Sequence, residues 1–330
     1  MRHARALATA RETGIFLAFV LVLVVTTTKN PAFLFSNDGF RDLLLTPATL
    51  ILIAVGEAIV IITRNVDLSV GSTIGLTAYL TGYLFKTAPD IPWPVVILIS
   101  ILFGGLLGLV NGALVAFAKV PSLVITLGTL YAFRGINVLW TGSNRINASD
   151  MPRGFLALGT AKLWVIPVIT IIAAVVLIAG AWYLRNTRGG RELYAIGSDP
   201  DAANLYGLRV TRRILLAFIT SGALAGLAGV LYTARYGTVD SQAGYGLELQ
   251  AVGAAVIGGV AIFGGSGSVW GAAIGAVLLV TINRALPVLG IQDFWQQAVV
   301  GLLIIAAIIL DRVLALRTAK RLTVLTGEQA

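Results

Sequence analysis

Between two long apolar runs, residues 185–213 read RNTRGGRELYAIGSDPDAANLYGLRVTRR. This is the longest polar interruption in the chain. It carries Arg185, Arg188, Arg191, Arg209, Arg212 and Arg213, six of the 24 Lys and Arg residues. Arg188–Gly190 reads as a turn out of the preceding apolar run. Beyond it, Ser198 or Asp199 has a side chain able to accept the free N–H groups of a helix start, Pro200 suits the first turn, and Gly207 suits the residue that stops it. A helix over Pro200–Tyr206 has about two turns, too few to persist alone in water. It must pack on its own bundle or on a second subunit, and Ala202, Ala203, Asn204 and Tyr206 suit a groove. The arginines would equally suit an anionic lipid surface.

The chain on both sides is strongly apolar. Of 330 residues 57% are hydrophobic and 12% charged, with mean hydropathy +0.90. Soluble domains carry about 25% charged residues, so the composition points to an integral membrane protein. The net charge of +9 sits in short clusters between apolar runs, which is how membrane proteins set orientation, and nucleic acid is excluded as a partner. With no Cys and the single His3 there is no disulfide framework and no thiolate or histidine metal site. FGGSGSVWG (263–271) is Gly-rich but lacks the GK[ST] ending of a phosphate loop. It reads as a tight cytoplasmic hairpin, and the chain has no built-in ATPase.

The predicted fold is all-α and polytopic, one transmembrane domain over 1–330 with a cytoplasmic loop at 185–213. Apolar runs lie near Ile15–Thr28, Leu43–Thr63, Leu68–Phe85, Val95–Ala118, Leu123–Trp140, Leu163–Leu184, Ile214–Tyr236, Leu247–Phe263, Val269–Leu286 and Trp295–Leu316, ten in all. The first follows Arg2, Arg5 and Arg11 but precedes no clear cleavage site, so it reads as a retained helix. Leu247–Phe263 is short enough for a broken or partial crossing. With both termini cytoplasmic, fifteen of the 24 basic residues fall inside, seven outside, and Arg134 and Arg284 within helices, in accord with the positive-inside rule. Residues 104–124 and 270–290 share Gly at four-residue intervals, an apolar run, a basic residue and Pro. Run in opposite directions, they raise an inverted repeat, although any Gly-rich bundle shows similar spacing.

Polar groups inside crossings are expensive and mark candidate sites. Glu57, Asn111, Arg134, Asn283 and Arg284 qualify, with Thr77, Thr126 and Thr129 able to bond a hydroxylated solute or their own helix backbone. Arg134 and Arg284 lie near helix ends, where snorkelling to water is the plainer use. In TRNVDLSVGS (63–72), Asp67 and Ser69 can cap the following helix, or the break can line a path or meet a partner. A carrier driven by H⁺ or Na⁺ would need a series of intramembrane acids, of which Glu57 is the one convincingly placed.

GRELYAIGSDPDAANLYGLRV (190–210) resembles a stretch of monosaccharide ATP-binding-cassette importer permeases of the ribose type, a group with ribose, xylose, arabinose, rhamnose and autoinducer-2 branches. TRNVDLSVGS (63–72), VPSLVITLGTLYAFRGINVLWTGS (120–143) and LELQAVGAAVIGGVAIFGGSGSVWGAAIGA (247–276) resemble further blocks of that family, in family order. Thr63–Arg64–Asn65 is similar to the autoinducer-2 and rhamnose branch. The resemblance implies a permease of the bacterial cytoplasmic membrane that works with a second permease copy or paralogue, an extracytoplasmic solute-binding protein and separate ATPase subunits, which alone would use ATP and Mg. It implies that Arg191, Tyr194, Gly197, Ala202, Ala203 and Gly207 form the coupling helix seated in an ATPase cleft, with the small residues rather than the arginines as contacts. Ser198–Asp199 departs from the family's usual Asn but preserves a cap. Glu57, Asn111, Thr126, Thr129 and Arg134 are the candidates along the solute path.

Overall fold

The computed structural model describes residues 2–309 apart from Lys119, Ser143 and positions 293, 294, 296, 300, 304, 307 and 308, with side chains from Thr13 onward. The crossing expected at Trp295–Leu316 falls largely outside the described residues. Elsewhere each apolar run is a helix. The elements are α1 (Arg2–Lys29), α2 (Ala32–Phe35), α3 (Asn37–Ile62), α4 (Val70–Thr87), α5 (Trp93–Ala118), α6 (Ser122–Thr141), α7 (Arg153–Thr160), α8 (Val168–Asn186), α9 (Arg188–Ser198), α10 (Pro200–Leu205), α11 (Val210–Tyr236), α12 (Leu247–Ile257) and α13 (Val269–Val288). A small antiparallel hairpin, β1 (Lys162–Leu163) with β2 (Ile166–Pro167), leads into α8. Six helices, α3, α5, α6, α8, α11 and α13, are long and apolar enough to cross a membrane. The chain is an all-α polytopic membrane protein.

Helix α3 is almost wholly enclosed, whereas α5, α6 and α8 leave most of their apolar surface outward. Its residues Leu52, Ile53, Ile61 and Ile62 are among the largest fully buried side chains. Helix α11 packs on α3, α4 and α5. The contact with α5 is glycine on glycine: a Cβ at Gly104 would strike the Gly222 carbonyl oxygen, and one at Gly108 the Phe218 carbonyl oxygen. Such close approach is a main source of helix association in lipid, where apolar side chains gain little by leaving the acyl chains. Gly271 and Gly275 of α13 meet Gly258 and Ala254 in the same way. The shared glycine spacing of 104–124 and 270–290 thus serves helix contacts with different neighbours.

Two crossings are interrupted. Residues 63–69 separate α3 from α4, and residues 237–246 separate α11 from α12. With 11 residues, α12 spans about 16 Å of a ~30 Å hydrocarbon core, as the shortness of its apolar run suggests. The irregular 237–246 stretch covers the remaining depth, turning at Gly237, Gly244 and Gly246, whose φ values are +64°, +76° and +79°.

The breaks meet inside the bundle. The Asp67 amide donates to Glu57 Oε1 at 3.1 Å, so Asp67 lies at the level of Glu57, about 7 Å back from the Ile62 end of α3. Continuing along α4, Gly71 and Gly75 lie roughly 13 and 19 Å from that end. A Cβ at Gly71 would strike Glu248 Oε2 and, at 2.8 Å, the Gly244 oxygen; one at Gly75 would sit 2.6 Å from the Ala243 oxygen. The second break therefore packs against the first turns of α4.

Replacing Gly108 with Val is expected to lower stability by about 1–3 kcal/mol, read as a fall in thermal unfolding temperature in detergent. Gly128→Ala is the control, because nothing lies within 4 Å of a Cβ there.

Candidate functional site

The polar loop at 185–213 is more structured than its sequence suggests. Arg188–Gly190 is not a turn but the first turn of α9, because Thr187 Oγ1 accepts from the Gly190 amide at 3.0 Å and so starts a helix. Gly189, Gly190 and Gly197 are buried; a Cβ at Gly197 would strike the Ile62 carbonyl oxygen. Tyr194 Oη donates to the Gly267 oxygen at 3.0 Å, and the Gly265 amide donates to the Ile62 oxygen at 3.0 Å. Helix α9 is thus clamped to the end of α3 and to the hairpin at 258–268, where Ser268 Oγ starts α13 by accepting from Gly271. Glu192 accepts from Arg213 Nε at 2.6 Å and from Arg188 Nε at 2.8 Å. The hydrogen bond from Arg213 above all, then that from Arg188, holds its carboxyl below the usual glutamate range. Arg191 is exposed and reaches the Asn186 carbonyl at 3.4 Å.

Helix α10 begins as its sequence indicates. Asp199 Oδ1 accepts from the amides of Asp201 and Ala202 at 3.0 and 2.9 Å, Pro200 occupies the first turn, and Gly207 (φ +76°) follows the end. The expectation for the small residues needs correction. Ala203 is 4% exposed, packed within its own chain, and Ala202 is half-buried. The outward apolar groups are Leu205, 89% exposed, and Tyr206, 86% exposed.

At the first break the structure gathers Glu57, Asn111 and Thr126. Asp67 Oδ1 accepts from the Ser69 amide and hydroxyl at 2.9 and 2.7 Å, and Asn111 Nδ2 donates to Ser69 Oγ at 2.6 Å. Thr126 Oγ1 donates to the Val66 oxygen at 3.1 Å, and the Val66 amide donates to Ser122 Oγ at 3.1 Å. The reading of Asp67 and Ser69 as caps of α4 is corrected: neither side chain accepts from the helix N–H groups, because both are buried and turned into this cluster. Glu57 Oε2 and Asn111 Oδ1 have no partner there. Thr129 stands apart, bonded to the Thr126 oxygen of its own helix at 3.3 Å, as Thr77 is to the Thr73 oxygen.

Arg134 lies elsewhere, and snorkelling does not describe it. Its Nη1 donates inward to the Ala243 oxygen at 2.9 Å, and its guanidinium sits 5.5 Å over the Tyr245 ring. One turn further along α6, Asn137 is fully buried and donates to the Ser241 oxygen at 3.3 Å. Glu248, in the first turn of α12, is the acid beside them. Neither Asn137 nor Glu248 stood out in the sequence, although Asn137 shares a helix face with Arg134 and Glu248 opens a half-length helix. Arg284, by contrast, packs 5.0 Å over Phe33 and reaches the Gly39 oxygen at 3.5 Å.

A membrane helix bundle with two irregular breaks flanking α4 and α12, and a clamped, capped helical projection on one end, has the build of a transport permease. The chain belongs to the family described as "Branched-chain amino acid transport system / permease component", matched over residues 40–308. It is similar to the autoinducer 2 import system permease protein LsrC of Enterobacter sp. (strain 638), with 37% identity over 91% of this chain and 86% of the relative. The same protein of Salmonella choleraesuis (strain SC-B67) is 36% identical over 91% of this chain and 85% of its own length, and that of Escherichia coli O9:H4 (strain HS) is 36% identical over 91% and 86%. No solved structure matches significantly. The chain is the transmembrane permease subunit of an ATP-binding-cassette importer, a multi-pass protein of the cytoplasmic membrane, and not an ion-driven carrier.

Three variants test the packing of these clusters. Glu57→Gln keeps the acceptor for the Asp67 amide and is expected to change stability little, whereas Glu57→Leu leaves that buried N–H unpaired and loses about 1–3 kcal/mol, measured by thermal unfolding in detergent. Because the Glu192 carboxyl is held low in the folded protein, its contribution is present above the ordinary value of ~4.3 and is lost as pH falls through the folded value. Amide protection across 188–198, taken relative to the intrinsic exchange rate at each pH, should therefore fall on acidification, and should already be reduced at neutral pH in Glu192→Gln.

Proposed function

We propose that the protein imports autoinducer 2 or a chemically similar small hydroxylated solute, as one half of a permease pair that also holds a second copy or a paralogue. An extracytoplasmic binding protein delivers the solute, and two separate ATPase subunits drive release to the cytoplasm. The observation that carries the solute reading is the extent of similarity to autoinducer 2 permeases, 91% of the chain, supported by the intramembrane polar clusters. Ten crossings with both termini cytoplasmic fit the charge distribution. Transport of this kind is an exchange between outward- and inward-open bundles around a site near mid-membrane.

Helix α10 is the coupling element. Arg191, Tyr194 and Gly197 act through α9 by fixing the projection to the bundle, and Ala202, Ala203 and Gly207 shape it. Leu205 and Tyr206 are the side chains that enter the ATPase cleft, since they are large, apolar and outward. A push on α10 passes through α9 to the Ile62 end of α3, and from there to the polar break that holds Glu57, Asn111 and Thr126 beside the path, with Thr129 and Arg134 above.

Coexpression with the partner subunits and binding protein tests both parts. The double variant Leu205→Ser, Tyr206→Ser should insert normally yet lose at least about tenfold of autoinducer 2 uptake, with less ATPase subunit co-purifying, as for a pair of interface anchors. Unchanged uptake and co-purification would remove the coupling assignment. Uptake that survives ATP depletion but collapses with an uncoupler would overturn the ATP-driven reading.

A further inference from the structure

The upper break holds three polar atoms with nothing to bond. Arg134 Nη2, Asn137 Oδ1 and Glu248 Oε2 are each buried and without a hydrogen-bond partner. They come from different elements, α6 and the start of α12, and converge over one face of α4. A Cβ at Gly75 would sit 3.0 Å from Asn137 Nδ2 and 3.5 Å from Arg134 Nη1, while one at Gly71 would strike Glu248 Oε2. Positions four apart on a helix are about 6 Å apart, so the three groups lie close together along one face of α4. Arg134 and Glu248 are opposite charges near each other, and among the described ion pairs neither is joined to the other.

Each of the three side chains is anchored by its second polar atom. Arg134 is held to the Ala243 oxygen, Asn137 to the Ser241 oxygen, and Glu248 Oε1 accepts from the Gly246 amide at 3.3 Å. The free atom of each is thereby fixed in direction rather than left to rotate. A buried polar atom without a partner is expensive, and three together, anchored from behind, are a binding site waiting for complementary groups. One free atom is a cationic donor and two are acceptors, one of them anionic.

We propose that Arg134, Asn137 and Glu248 form the solute contact of the translocation path, and that they take adjacent hydroxyls of a neutral solute. Each hydroxyl donates to Glu248 Oε2 or Asn137 Oδ1, and an oxygen of the solute accepts from Arg134 Nη2. The charges of Arg134 and Glu248 offset one another, so an anionic solute gains no advantage. The exposed Tyr245 ring, beneath the guanidinium, supplies the apolar side of the contact. Gly71 and Gly75 let these groups lie directly on α4, where any side chain would displace them. This assignment rests on the importer reading above and adds to it where, and through which atoms, the solute is read.

The test is the uptake of autoinducer 2 and of an analogue lacking one hydroxyl, by the complete assembly in proteoliposomes. The same binding protein serves every permease variant, so its own selectivity cancels when variant and wild-type ratios are compared. In Glu248→Gln the oxygen that accepts from Gly246 can remain while the free acceptor becomes a donor. Uptake of autoinducer 2 should fall about tenfold or more and uptake of the analogue much less, so that the ratio moves toward one. Asn137→Leu should do the same, with the ATPase subunit still co-purifying. Equal losses for both solutes, or no loss, in both variants would overturn the site. Failure of the wild-type assembly to import either solute is a separate outcome, which would reject the importer reading and this site with it.

Discussion

Backbone that leaves a helix within a bilayer has no water to complete its hydrogen bonds, and an open N–H or C=O there is worth several kcal/mol. The structure breaks two crossings and closes them from the side. At 63–69, Glu57, Ser122 and Thr126 serve the Asp67 amide, the Val66 amide and the Val66 oxygen. At 237–246, Arg134 and Asn137 serve the oxygens of Ala243 and Ser241. The intramembrane polar residues are therefore first of all what lets the chain unwind at depth. Some of the same residues are left with buried atoms that have no partner: Glu57 Oε2, Arg134 Nη2 and Asn137 Oδ1.

Glycine makes the convergence tight enough to matter. The crossing of α5 and α11 brings backbones together at Gly104, Gly108 and Gly222, while Gly71 and Gly75 let the second break lie directly on α4. At the Ile62 end of α3, Gly197 does the same for α9. One continuous path of packed backbone thus joins α10 to the first break. A transporter moved by a partner needs such stiffness, because a compliant link would dissipate the displacement before it reached the solute.

Much of this was legible in the chain. The apolar runs marked the described helices, and the Asp199, Pro200 and Gly207 sequence marked α10 with its cap and stop, since these signals are local. The Leu247–Phe263 run, short for a crossing, holds a helix of 11 residues. What was not legible depends on partners distant in sequence. Arg134 looked like a snorkelling residue until its bond to Ala243, 109 residues away, placed it inward. Asp67 and Ser69 looked like caps because capping is their commonest local use, and Asn111 redirects them. Ala203 looked like a contact because it is small, yet small residues are also what a clamped helix buries. Glu248 carries no local mark apart from its place at the start of a short helix.

The most direct measurement exploits the absence of cysteine from the chain. Tyr245 is 66% exposed on the unwound stretch between α11 and α12, and Leu102, 63% exposed, lies on the outward apolar surface of α5. If the upper break lines a water-filled path, the Tyr245→Cys protein in the assembled transporter will react with a small, charged, membrane-impermeant thiol reagent, at a rate that changes with nucleotide, while the Leu102→Cys protein will not. A Tyr245→Cys protein unlabelled in every nucleotide state, or a Leu102→Cys protein labelled equally fast, would contradict it.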